Sequence, residues 1–123
     1  MANTAATPQR YQLSRAKGAR LPPNTVSVAR PHKFGNPFDW KPLKALNKNH
    51  TNGTARAEAV RCFENWINGS DKDWMGPRSR EVRAFMLASI PDLRNKNVAC
   101  YCPIGAVCHG DILLKLAAQV GVT

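Results

Sequence analysis

Four side chains of the run NVACYCPIGAVCHGD, residues 97 to 111, can either hold a metal ion or react: Cys100, Cys102, Cys108 and His109. They are spaced C-x-C-x5-C-H. Zinc takes four tetrahedral nitrogen and sulfur ligands, and this cluster supplies that number. Two features of the spacing resist it. In a regular strand, Cys100 and Cys102 point the same way but stand roughly 6.5 Å apart by rise alone, so the chain must bend to bring both sulfurs to one ion. Cys108 and His109 are neighbours, and neighbouring side chains normally diverge.

The same residues support a second reading. If a helix begins near Gly110, Cys108 lies at its N-terminus, where the local dipole lowers a thiol's pKa. Cys108 beside His109 is then a nucleophile or redox thiol, and Asp111 either orients the imidazole or caps the helix. A third reading assigns no chemistry: Cys100 and Cys102 belong to the core, while Cys108 and His109 fill a loop. Cys62, alone in a helical pattern, reads as a small buried hydrophobe.

A second unusual stretch is RPHKFGNPF, residues 30 to 38. Arg30, His32, Lys33 and Asn36 surround Gly35, and cations with an amide on an open turn suit an anion such as phosphate. The anion-binding candidates are Arg30, Lys33, Gly35 and Asn36. The alternative is an ordinary turn whose charges are solvated.

The elements around these motifs follow from periodicity. NTVSVARP alternates β-branched and polar residues and stops at Pro31, which predicts a short strand. The next twenty or so residues are punctuated by Gly35, Pro37, Pro42 and Gly53 and read as a long loop, packed down through Phe34, Phe38 and Trp40. TARAEAVRCFENWINGS predicts a helix capped by Thr54 and stopped by Gly69, with Ala59, Val60, Phe63, Trp66 and Ile67 on one face. GPRSREVRAFMLASIP predicts another, with Val82, Phe85, Met86 and Ile90 inward. NVACYC reads as a strand from Val98 to Cys102. DILLKLAAQV reads as a last helix, opened by Asp111, closed by Gly121 and striped by Ile112, Leu113, Leu116 and Val120.

Strands separated by helices argue for an α/β fold: a small parallel or mixed sheet of two to four strands, packed by about three helices. A third strand is expected around YQLSRAK. Residues 1–23 read as a basic N-terminal arm and residues 24–123 as a single domain. In parallel sheets ligands bind outside the strand C-termini. Parallel strands would therefore bring the two motifs to one crevice.

The chain has 123 residues, 43% of them apolar, and a net charge of +10. Residues 1–50 hold nine Lys and Arg against one acid, and residues 51–123 hold nine against seven, leaving +8 and +2. Charge segregated in this way attracts polyanions, with nucleic acid first and nucleotide phosphates next, unless it is only a solvated tail. No apolar run approaches the ~20 residues that span a bilayer, so no membrane association is expected. With no apolar leader in the first twenty residues, the expected location is cytoplasmic, where clustered thiols stay reduced.

VSVARPHKFGNPF, ARAEAVRCFENWI and LRNKNVACYCPIGAVCHGDILLKLA together resemble a family of small phage-associated and bacterial domains, domain of unknown function 4326. The resemblance covers roughly residues 24 to 119. It implies that Arg30, Pro31, Gly35, Asn36, Pro37, Phe38, Cys100, Cys102, Cys108, His109, Gly110 and Asp111 belong to a shared pattern. Tyr101 stands where the family is expected to carry Trp, and Asn95 where Gly is usual. The resemblance supports the boundaries and the pairing of the two loops but implies no reaction.

Three functions stay open. The first is an enzyme or sensor of nucleotides or nucleic-acid bases, with Arg30, Lys33 and Asn36 facing Cys108 and His109. The second is a nucleic-acid-binding module stabilised by Zn2+ at Cys100, Cys102, Cys108 and His109. The third is an interaction or inhibitor protein for an acidic partner, favoured if the two loops lie on opposite faces.

Overall fold

A computed structural model describes residues 8–30, 32–39, 41, 45, 49 and 51–120. Its sheet has three parallel strands: β1 (Arg10–Gln12), β2 (Thr25–Ser27) and β3 (Asn97–Cys100). The order is β1-β3-β2, so the last strand in sequence lies in the middle. Val98 pairs with Arg10 on one side and Val26 on the other. A central parallel strand is covered on both faces, which is why Val98, Ala99 and Cys100 are all buried and all small or apolar. β1 is the third strand expected around YQLSRAK, starting one residue earlier. The chain leaves the sheet after Cys100, two residues short of the expected Cys102, because it bends at Tyr101 and Cys102.

Among the described residues, three α-helices pack with the sheet around one core. α1 is Asn52–Ile67, and its cap is Thr51 rather than the expected Thr54. Thr51 Oγ1 accepts from the Thr54 amide at 3.1 Å, while Thr54 Oγ1 accepts from the Thr51 amide at 2.7 Å. Both threonines thus serve one capping box, and the helix gains its first turn. Its buried face is Ala55, Ala59, Cys62, Phe63, Trp66 and Ile67.

α2 is Pro77–Ser89, followed by a 3-10 turn at Ile90–Leu93. Phe85, expected inward, is 58% exposed. The inward stripe is instead Ser79, Val82, Met86 and Ser89, and a polar residue fixes it. Trp66 Nε1 donates to Ser79 Oγ at 2.9 Å, and that hydroxyl donates to the Trp74 carbonyl at 2.9 Å. Satisfying a buried indole N–H outweighs turning Phe85 inward.

α3 is His109–Gln119, two residues longer at its start than expected, with Cys108 as its cap in place of Asp111. Leu113 and Ala117 are buried, while Ile112, Leu116 and Val120 are partly buried against the core. The core between sheet and helices is filled by Trp66, Phe34, Phe63, Met86, Leu93 and Leu113, each almost fully buried and each worth about 1.5–3 kcal/mol by area. Phe38 meets Trp66 and Trp74 edge-on at 6.0 and 6.3 Å. The loop after β2 is therefore packed down, as its aromatics imply. Trp40, Pro31 and Pro42 lie outside the described residues.

Candidate metal centre and cationic cleft

All three strands end at one edge of the sheet, and the loops after β2 and β3 meet there. The contact is made by His109. Its Nε2 lies 2.8 Å from the Val28 carbonyl oxygen and 3.1 Å from that of Phe34. Carbonyls only accept, so Nε2 carries the proton and Nδ1 of the neutral ring has its lone pair free. Phe63 packs edge-on against the imidazole at 5.4 Å. The ring is thus fixed in tautomer and in plane.

Nδ1 faces the sulfurs, 3.8 Å from Cys108 Sγ. Cys100 Sγ and Cys102 Sγ are also 3.8 Å apart, and the three sulfurs lie within 4.8 Å of one another. The bend at Tyr101 brings Cys102 back to Cys100. Cys108 and His109 converge because Cys108, as cap, is extended at φ −151° while His109 is already helical. The bend removes the first obstacle and the helix start brings Nδ1 to Cys108, but the ligand atoms that all lie within 4.8 Å of one another are the three sulfurs, without His109. Two sulfurs bound tetrahedrally at ~2.3 Å from zinc would stand about 3.8 Å apart, which is the spacing found.

The thiols interact strongly. Cys100 is held well below the ordinary thiol range because Cys102, and then Cys108, donate to its sulfur, against the opposing effect of burial. Cys108 is pushed up, chiefly because it donates to Cys100 and then Cys102. Cys102 is pushed up mainly by donating to Cys100. The expectation that the helix start depresses Cys108 is thus reversed: Gly110 N–H does reach its sulfur at 3.4 Å, but the neighbouring sulfurs dominate. Cys62 stands apart from this cluster, and burial raises its thiol pKa.

Arg10 on β1 moulds the second loop. Its guanidinium donates to the carbonyls of Cys102 at 3.2 Å, Pro103 at 3.4 Å and Ala106 at 2.9 Å, and to Asp111 Oδ1 at 3.0 Å. The Arg10 side chain is 7% exposed. Gly110 gives it room, since a Cβ there would meet Arg10 Cδ at 3.1 Å. Asp111 therefore serves Arg10 and not the imidazole.

In the first loop the candidate anion ligands have separate roles. Asn36 Nδ2 donates to the Ala59 carbonyl at 3.2 Å, and its Oδ1 accepts from the Phe38 amide at 2.9 Å. Gly35 lies so close to Arg30 that a Cβ would meet Arg30 Cγ at 2.8 Å. Lys33 pairs with Asp92 at 3.3 Å, away from the crevice. Arg30 alone of the four presents a charge to it, braced by Asp39 at 3.3 Å.

Between the loops is a cleft of about 420 Å³, with Cys100, Cys102 and His109 in its wall. Its cations are Arg15, Arg30, Lys41 and Arg56, and among the described residues no carboxylate lines it. Only Arg30 of these was singled out by motif. The other three come from separate segments, and no local pattern marks them.

These features define a small parallel α/β domain with a three-thiol centre beside a cationic cleft at its strand ends. The chain belongs to the family described as a domain of unknown function, DUF4326, whose model matches residues 11–119. The match begins ahead of the expected residue 24 and takes in Tyr11 and Gln12 of β1. No curated protein matches the chain, and no solved structure does. Among the described residues, no helix is long and apolar enough to cross a membrane.

Proposed function

We propose that the protein binds a phosphate-bearing nucleotide or nucleic acid in the cleft between its two loops, beside a zinc ion held by Cys100, Cys102, Cys108 and His109 Nδ1. The single observation that carries this reading is the meeting of the sulfur triangle and four like charges at one sheet edge. Three sulfurs within 4.8 Å of one another, one pair of them at tetrahedral edge length, are a soft-ligand set of the kind zinc selects. The protonated Nε2 on two carbonyls is the outer support that metal-ligating imidazoles usually have. A cleft bordered by four cations concentrates anions.

The test has two parts. Purified protein should carry one zinc per chain, and chelation should unfold it. A labelled oligonucleotide should bind with log K falling against log salt at a slope of about −3, ~0.7 for each of four phosphates on a single strand. A folded metal-free protein with one fast-alkylating thiol would refute the metal assignment. Salt-independent binding would refute the cleft.

With His109 as the fourth ligand, the zinc is closed and serves as a staple. A second reading, an enzyme acting on the bound nucleotide, is favoured by one observation: Cys100, Cys102 and His109 border the cleft itself. Spectra of the cobalt-substituted protein distinguish the two. Ligand-independent absorption fits the staple, and a change on adding nucleotide fits a metal that meets its ligand.

A further inference from the structure

Resting on the phosphate-binding reading, we propose that the cleft takes single-stranded nucleic acid and that one unpaired base stacks on the ring of Tyr101. Tyr101 is where the chain turns out of β3; the residue is 42% exposed and lines the cleft. The guanidinium of Arg15 lies 3.8 Å from the ring centroid. A flat, delocalised cation thus already covers the ring much as a base would. A base that takes this face releases Arg15 toward the strand's own phosphates. Val107 also borders the cleft and is 54% exposed, which adds an apolar element to its wall.

The other cations complete the match. Arg30, Lys41 and Arg56 border the same cleft, so an anionic backbone can pass the ring in contact with three cations. A cationic groove with an aromatic platform is how proteins hold single strands without reading sequence. Size points the same way. A cavity of about 420 Å³ has the volume of a small-ligand site, suited to one nucleotide. A duplex keeps its bases stacked on one another and offers the ring no free face.

The measurement is fluorescence anisotropy of the full, metal-replete chain with three probes. These are a labelled oligodeoxythymidine of about 12 nucleotides, within known site sizes, a hairpin duplex of equal phosphate count, and inorganic polyphosphate as competitor. The strand should bind at least ~10-fold tighter than the hairpin. Tyr101→Ala should weaken the strand by about 5- to 100-fold, the range that base–aromatic stacking gives, and Tyr101→Phe by less than ~2-fold. Polyphosphate competition should be the same for all three proteins, which also shows that the variants are folded. Equal binding of hairpin and strand overturns the proposal. So does a Tyr101→Ala variant that keeps full affinity, or one that loses strand and polyphosphate together. Polyphosphate binding that survives Arg30→Ala with Arg56→Ala overturns the cleft itself, and strand selectivity is then read separately through Tyr101.

Discussion

In the loop after β2, Asn36 gives its amide N–H to Ala59 and its oxygen to Phe38, and Lys33 goes to Asp92. In the loop after β3, Cys100, Cys102 and Cys108 have mostly one another, and the backbone is held from outside by Arg10. The two loops meet at one rim, yet the first spends its polar atoms on its own shape. The second leaves its ligand atoms unspent and takes its shape from a different strand. Ligand capacity left over after folding distinguishes the candidate site from the scaffold better than residue type does.

The sharpest way to break this contrast is to remove a sulfur. Cys108→Ala should abolish zinc binding and cost roughly 5 kcal/mol or more, given apparent energies of about 10–16 kcal/mol at structural zinc sites. Metal content and thermal melting check it, and an unaltered melting midpoint would place Cys108 with ordinary core residues. Next comes the outside support. Arg10→Met strands three carbonyls and Asp111 and should cost about 2–4 kcal/mol in urea melts, with weakened zinc affinity. Arg10→Lys should recover little, because an ammonium cannot reproduce the planar fork.

Smaller effects belong to the first loop. Asn36→Ala should cost about 1–3 kcal/mol by leaving the Ala59 carbonyl and Phe38 amide unpaired, with zinc content unchanged. Gly35→Ala should cost a similar amount, about 1–3 kcal/mol, since its Cβ overlaps Arg30. Smallest in stability are Arg30→Ala and Lys33→Ala, each within about 0.5 kcal/mol. They should nonetheless separate in binding to the single strand: Arg30→Ala reduces the salt slope by about 0.7, and Lys33→Ala leaves it unchanged.

Much of the site could be read from the chain because C-x-C and C-H keep their ligands near in sequence, and only a bend and a helix start were needed to focus them. The β-branched run at Thr25 and the apolar VAC likewise declared their strands. What stayed hidden depends on distance. Arg10 sits in a stretch whose composition suggests a loose arm, and its role exists only because β1 lies beside β3. Arg15, Lys41 and Arg56 are ordinary surface cations until the fold gathers them. Ser79 was passed over because periodicity counts apolar residues, whereas here an indole N–H selects a hydroxyl. Phe85 fits the apolar period yet is exposed for the same reason. The direction of the Cys108 shift was missed because the helix dipole is local in sequence, while the competing sulfurs of Cys100 and Cys102 arrive from another element.

One feature of the sheet bears on how the molecule is made. Within the sheet β1 and β2 pair only with β3, through pairings such as Arg10 with Val98, 88 positions apart. As the nascent chain leaves the ribosome, both outer strands wait with bare edges until residue 100 has emerged, and distant closures of this kind are slow. Cys102, Cys108 and His109 appear later still. Sheet closure is therefore among the final events of biogenesis, and the three-thiol cluster can assemble only with it.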